Sequence, residues 1–483
     1  MKRFALFGCV LLALSPAAIF AADEESAVRD IQRALQRDQL EAAEKAFAGA
    51  VKEFPDSVRV NTLRLQLVEL NAEKEHWPEA IGHVTAYIDH QFGKMGDLPS
   101  AASEIPGLVA LLYRLHERAE NTPPGIEDFD RYRKRLRETA EAKPAPELTV
   151  ALAELTAGKI SWLVEHGQHE PAQTLLDQEI ADARKAFDTD PQELGAILRL
   201  NAVLRTRSRF AGDLSPEKEP AQREQYLKFL SEQVRAHPEE VAVVGAYLNG
   251  YLMVIQGLAL TEPDTAEKLL KDVKAFVVEF KDPKPAVRRR LRLFDRNLVA
   301  IAPALESARA HLALVGQKGA LPETEIWLNG GALAADDLKG KVVLLDFWAV
   351  WCGPCIATFP HLREWQAKFA DKGLVIVGVT HWYSFDWDDE TSQIRRVRGL
   401  SREKENAATE KFLGFHKLKH HIAVVDDDAN FDRNYLVEGI PQAVLLDRQG
   451  NVRLIRVGAG KKTAQDLERM IERLLSEPAA SGG

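Results

Sequence analysis

Two cysteines three positions apart, Cys352 and Cys355, are the residues whose type and spacing most plainly do chemistry. The apolar run Val342-Val-Leu-Leu-Asp-Phe347 is long enough for a buried parallel strand, and the cysteines follow where a helix should begin. At such a strand-to-helix turn the free backbone N–H groups of the first helical turn face Cys352 and favour its thiolate. Cys355 lies one turn further in, close enough to close a disulfide. Between them, Gly353 permits the close approach, and Pro354 suits a first turn where its missing N–H has no partner anyway. This pair is built for thiol–disulfide exchange: Cys352 attacks a substrate disulfide, and Cys355 resolves the mixed disulfide and releases reduced product. A zinc site would need a second ligand pair, and the only other cysteine is Cys9, so no metal is expected.

The residues around this turn lay out an α/β domain over 317–483. Glu325–Leu328 reads as a leading strand, Cys352 to about Ala370 as the active-site helix, and Leu374–Thr380 as another continuous apolar strand. A polar insertion from His381 to about His421 contains a helix, and Ile422–Val425 is a short strand. Ala443–Asp447 and Val452–Val457 form a hairpin around Arg448-Gln-Gly-Asn451, and Thr463 is expected to cap a closing helix before the loose tail Ser476–Gly483. Strands alternating with helices, then a terminal hairpin and helix, predict an α/β sandwich.

From 23 to 316 the pattern is helical, with apolar residues at three- and four-residue spacing, as in Ala27, Ile31 and Leu35. Proline and glycine clusters cut it at Gly93–Pro106, Asn121–Gly125, Lys143–Glu147, Ala211–Pro220, Thr261–Asp264 and Lys281–Pro285. Ala43, Phe47, Ala50 and Pro55 have the spacing of the second helix and closing proline of a tetratricopeptide unit, and Tyr226, Leu230, Gln233 and Pro238 repeat it. The reading is an all-α, tetratricopeptide-like repeat domain, each hairpin stacking on a neighbour because it cannot bury its apolar stripe alone. The polar connection Gly316–Glu323 is the expected domain boundary.

At 483 residues the chain is too long for one core. Its 46% hydrophobic and 28% charged residues describe an ordinary soluble protein, and a formal charge of −9 argues against a nucleic-acid-binding surface. Residues 1–22, with Lys2-Arg3, the apolar Phe4–Leu14 and small residues before Asp23, read as a secretory signal cleaved near Ala21 or Ala22, which implies a periplasmic or otherwise extracytoplasmic protein. An uncleaved membrane anchor is the rival reading. After cleavage only Cys352 and Cys355 remain, so cysteine serves chemistry rather than stapling.

On Leu338-Lys-Gly-Lys341, Trp351-Cys-Gly-Pro-Cys355, Phe359-Pro-His-Leu362 and Gly439-Ile-Pro-Gln-Ala-Val-Leu-Leu-Asp447, the last third of the chain resembles the thioredoxin superfamily, and more closely its extracytoplasmic TlpA- and ResA-like branch. The resemblance implies a thioredoxin-like fold and a protein-disulfide reductase without a cofactor. The Gly-Pro dipeptide matches thioredoxins rather than oxidants or isomerases. Asp346 matches the buried acid that exchanges protons with the resolving cysteine, although no lysine stands on Leu374–Thr380, where thioredoxins keep one. Pro441 matches the cis-proline facing the cysteines, with Ile440 offering its backbone to an extended substrate. Trp351 belongs to the contact surface and Trp348 to the core. Expected partners are disulfide-containing protein substrates, a membrane or periplasmic thiol electron donor, and a partner protein on the helical domain.

Two rivals are a peroxiredoxin-like peroxidase, whose Pro-x-x-x-Thr-x-x-Cys signature is absent around Cys352, and a scaffold protein in which only the helices act. His416, His420 and His421 would suit a metal on a helix face, but beside Lys417 and Lys419 they read as solvated. Asp386–Glu390 and Asp426–Asp428 lack the pattern of a calcium loop and read as solvated loop charges.

Overall fold

The structure is a computed structural model in which residues 22–119, 125–281, 283–299, 301–426 and 431–478 are described. The signal reading of 1–22 lies outside these residues except for Ala22, as does the break at Asn121–Gly125 except for Gly125. Two compact units form: one runs to Val254 and includes Ala275–Phe294, and the other joins Ile255–Lys274 to Asp295 and the residues after it.

Among the described residues fourteen α-helices precede the sheet, from α1 (Ala22–Gln36) to α14 (Ile301–Leu314). The helical residues of both spaced sets are buried. On α2 (Leu40–Glu53), Ala43, Phe47 and Ala50 are buried and share a cluster with Val28 and Ile31 of α1 and Val60, Leu63 and Leu67 of α3 (Val58–Glu73). Beyond Pro55 the next helix is capped: Ser57 Oγ accepts from the Val60 N–H at 3.1 Å, and Asn61 Nδ2 donates to the Pro55 carbonyl at 2.8 Å. The second set sits alike on α10 (Glu219–Ala236), where Tyr226, Leu230 and Gln233 are buried. Gly250, on α11 (Val241–Leu258), lets that face approach, since a Cβ there would stand 2.5 Å from Leu230 Cδ1 and 2.6 Å from Tyr226 Oη.

In the second unit a six-stranded sheet has the order β1-β6-β3-β2-β7-β8. Its strands are β1 (Trp327–Leu328), β2 (Val342–Phe347), β3 (Leu374–Thr380), β6 (His421–Val424), β7 (Gln442–Leu446) and β8 (Val452–Val457). Strand β2 lies parallel to β3 and antiparallel to β7, with Asp346 opposite Gly378 on one side and Ala443 on the other. Because side chains alternate, Val342 and Leu344 face α15 (Gly353–Phe369) and α17 (Lys461–Ser476), while Val343, Leu345 and Phe347 pack with Phe431 and Tyr435 on the opposite face. This is the thioredoxin-like α/β domain.

Several local expectations change. The closing helix starts at Lys461 after Gly460, so Thr463 lies in its first turn and is not the cap. The connection at Gly316 is fastened: Gly316 N–H donates to Val452 O at 2.7 Å and Gly319 N–H to Gly450 O at 2.8 Å. On the N-terminal side of that connection, in the same unit, the His311 ring of α14 meets Leu436 O at 3.2 Å, so the unit includes helical residues before 316.

The insertion holds more than a helix. Strands β4 (Phe385–Asp388) and β5 (Gln393–Arg396) form an antiparallel hairpin that packs on α16 (Arg402–Phe415). Asp386–Asp388 therefore stands in a strand, and Asp388 Oδ1 accepts the N–H groups of Glu390 and Thr391 to close the turn. Asp426 pairs with Arg402 at 2.8 Å, while Asp427 and Asp428 lie outside the described residues. The histidines share no helix face: α16 ends at Phe415, His416 caps it, and His420 is buried at 2% exposure rather than solvated. It lies beside Gly378, where a Cβ would stand 2.5 Å from Ile422 Cδ1, 2.8 Å from Trp348 Nε1 and 3.4 Å from His420 Nε2. Burial pushes His420 down to about 4, so its ring is neutral at pH 7.

Candidate active site

The apolar β2 delivers the chain to the top of the sheet, and Cys352 becomes the N-cap of α15. Its Sγ accepts the Cys355 N–H at 3.2 Å, so a donor of the helix start points at this sulfur and stabilises negative charge there once the disulfide opens. The two cysteines are joined as a disulfide, their Cα atoms 5.2 Å apart. Gly353 and Pro354 are exposed between them. Cys355 is 0% exposed and Cys352 4%, so Cys352, which as the attacking cysteine would be expected at the surface, is itself buried and only a small part of it reaches solvent. Trp348 is core at 1% and Trp351 is surface at 47%. The Ile440–Pro441 peptide is cis.

Asp346 is placed by strand alternation on the α15 side of the sheet. There it borders a cavity of about 450 Å³ between α15, α17 and the start of β7, walled by Leu344, Thr358, Trp365, Pro441 and Leu467. It is 4% exposed, and its Oδ2 has no hydrogen-bond partner among the described residues. Burial without compensation penalises the ionised form, so the carboxyl is pushed up to about 7 and exchanges a proton near neutrality. His361, from the turn of α15 that follows Thr358, is the other ionisable side chain lining this cavity among the described residues, and its ring stacks on Trp365 at 5.9 Å. The sequence reading did not single out Thr358 or His361. Their spacing of three along α15, continued at Trp365, is the helical signal that places them on one stripe.

The insertion reaches the site. Trp351 meets Tyr383 edge to face at 5.5 Å, and Tyr383 stands just before β4. Glu405 of α16, buried at 4%, accepts the N–H groups of Tyr383 at 2.6 Å and Phe385 at 3.2 Å and holds the hairpin's first strand in place. Trp382 Nε1 donates to Asn406 Oδ1 at 2.9 Å. The sequence reading missed Glu405, but the alternation Tyr383, Phe385, Trp387 was a strand signal within the insertion. Replacing Glu405 by Ala removes the carboxylate that accepts from two part-buried N–H groups and is expected to cost about 2 kcal/mol locally. Hydrogen exchange at Tyr383–Trp387 should then accelerate roughly thirtyfold while β2 stays protected.

The fold and this dithiol turn define a thioredoxin-fold thiol–disulfide oxidoreductase. In agreement, residues 315–471 match the Redoxin family. The thiol-disulfide oxidoreductase ResA of Bacillus thuringiensis subsp. konkukian is 26% identical over 147 residues, which are 30% of this chain and 71% of ResA. The thioredoxin-like protein YneN of Bacillus subtilis is 29% identical over 145 residues, 30% of this chain and 72% of YneN. Among solved structures, a putative thiol:disulfide interchange protein DsbE from Chlorobium tepidum is 32% identical, with 34% of this chain and 98% of that one covered at a TM-score of 0.25. The C-terminal part of this chain is a TlpA/ResA-like member of the thioredoxin superfamily.

Proposed function

We propose that this protein reduces disulfides of protein substrates through the Cys-Gly-Pro-Cys dithiol, outside the cytoplasm. The observation that carries the reading is the pairing of a disulfide at a helix N-terminus with an uncompensated buried carboxyl on the same side of the sheet. With both cysteines reduced, the Cys352 thiolate attacks one sulfur of the substrate disulfide, forming a new S–S bond as the substrate bond breaks and its other sulfur leaves as thiolate to take a proton. Asp346 accepts the Cys355 proton, and the Cys355 thiolate attacks Cys352 Sγ. The second substrate thiol departs, two electrons have moved to the substrate, and a thiol donor returns the pair to the dithiol. Trp351, Gly353 and Pro354 form the rim over which substrate lies, and Ile440 beside Pro441 offers backbone to it. We assign the exported location to the signal-like residues 1–22, and to the helical hairpins, read as a tetratricopeptide-like array preceding a redox domain at 317–483, the recruitment of a partner protein.

The reduction potential of the Cys352–Cys355 pair tests the direction. Equilibration with dithiothreitol should place it near the about −270 mV of a thioredoxin; a value near the about −120 mV of a strong oxidant would reverse the assigned flux.

A further inference from the structure

Strand β8 ends the six-stranded sheet, and beyond it the sheet has no further strand among the described residues. Only its first residue is covered: Gly316 N–H donates to Val452 O at 2.7 Å, and Val452 N–H donates to Gln317 O at 2.9 Å. From Arg453 to Val457 no described backbone segment pairs with the outer side. Proteins ordinarily blunt such an edge with charge, proline or a covering element. Here Arg453 and Arg456 stand on the edge and α14 flanks it, yet no described backbone closes it. A groove of about 220 Å³ runs beside the edge, between β8, α14 and the turn after Leu258, and Leu260, Leu312, Val315 and Val457 line it. These four are 39%, 39%, 40% and 38% exposed and belong to the short set of large apolar side chains left in solvent among the described residues. Scattered singly they would mean nothing; gathered along an unpaired strand they mark a contact surface.

The arginines of this edge are already neutralised. Arg453 pairs with Asp447 at 3.3 Å and Glu477 at 2.9 Å, and Arg456 with Asp466 at 3.1 Å. The groove therefore asks for main chain and aliphatic side chains rather than for an ion. An extended strand supplies both, its backbone pairing with β8 and alternate side chains entering the groove. Continuity identifies its source: β8 runs out at Val457, and the next residue, Gly458, donates its N–H to Pro441 O at 2.7 Å. Gly458 also lines the cavity that holds Asp346. The open edge thus ends level with Gln442 and with Phe347, at the end of the sheet from which the cysteine turn and the cis-proline loop project.

We propose that the outer edge of β8 from Arg453 to Val457, with the groove of Leu260, Leu312, Val315 and Val457, seats an extended, aliphatic segment of the polypeptide whose disulfide is exchanged at Cys352. This rests on the reductant reading above and names a substrate feature it lacked: selection of unfolded or loosely folded chains that can offer a free strand.

The test uses the full chain with two disulfides, insulin as polypeptide and cystamine as a small molecule with no strand to offer. The ratio of kcat/KM for insulin to that for cystamine should fall roughly tenfold in Leu312→Asp and Val315→Asp, the loss expected for about one buried aliphatic contact. Both positions are well exposed, and Leu260→Asp, on a separate segment, should reproduce the loss if either variant folds poorly. Leu98→Asp, at a residue 54% exposed in the helical unit, should keep the unaltered ratio. An unchanged ratio in all three groove variants, with both disulfides still reduced, overturns the groove and leaves the reductant reading standing. Groove variants that instead turn a dimer into monomers at an unchanged ratio also overturn it, in favour of a second copy. Reduction of neither disulfide by the unaltered chain overturns the reductant reading and this inference with it.

Discussion

Replacing Cys352 by Ser should lower disulfide reduction by about a thousandfold or more, because Cys355, the other thiol of the described site, is fully buried and out of reach of a substrate disulfide. Replacing Cys355 by Ser should have a different outcome. The first exchange still occurs, since Cys352 keeps its place at the helix N-terminus, but the mixed disulfide has no resolving thiol and accumulates to one equivalent per chain. Mass spectrometry of the non-reduced protein after mixing with insulin checks both outcomes. If Cys352→Ser traps substrate and Cys355→Ser does not, the roles are reversed.

Asp346→Asn should slow turnover near neutral pH by about a hundredfold, the usual reach of a positioned general acid–base group, while making the protein more stable. The second half follows from linkage. The carboxyl is raised from 3.8 to about 7 in the folded chain, so the folded state binds its proton more tightly than the unfolded state does. Its contribution to stability is fully present below about pH 4, declines as the unfolded chain ionises, and is lost as pH rises through about 7. Neutral asparagine does not pay this penalty. The variant should therefore match the parent near pH 4 and exceed it at pH 8 by at most ~4 kcal/mol, read from denaturant midpoints. A variant with normal turnover between pH 6 and 8 would leave Asp346 with a structural role alone.

The parts of the site legible in the sequence are those written in local chemistry. The limits of β2 and β3 follow from continuous apolar runs, the start of β8 from the turn Arg448-Gln-Gly-Asn451, and the start of α15 from the cysteine turn with its glycine and proline. The cis form of Pro441 was implied by family resemblance, not by any propensity of the dipeptide. What escaped depends on distant neighbours. His420 looks solvated beside Lys417 and Lys419, yet the fold buries it to 2% exposure beside Gly378 of β3. The hairpin β4–β5 carries acids and arginines on short strands outside the main sheet, so polarity concealed its aromatic alternation. Glu405 reads as an ordinary helix glutamate until the fold brings two backbone N–H groups to its Oε1. Thr463 has the chemistry of a cap, but the backbone turns helical right after Gly460, one turn earlier.

The central claim is that the helix start makes Cys352 the attacking sulfur and leaves Cys355 shielded behind it. Reducing the full-length protein, exposing it briefly to iodoacetamide at pH 7, and locating the label by peptide mapping tests this most directly. The account predicts carboxamidomethyl label on Cys352 while Cys355 remains unmodified, at a pH where a free thiol of pKa about 8.5 reacts slowly. Label appearing first on Cys355, or on both cysteines at the slow rate of a free thiol, would contradict it.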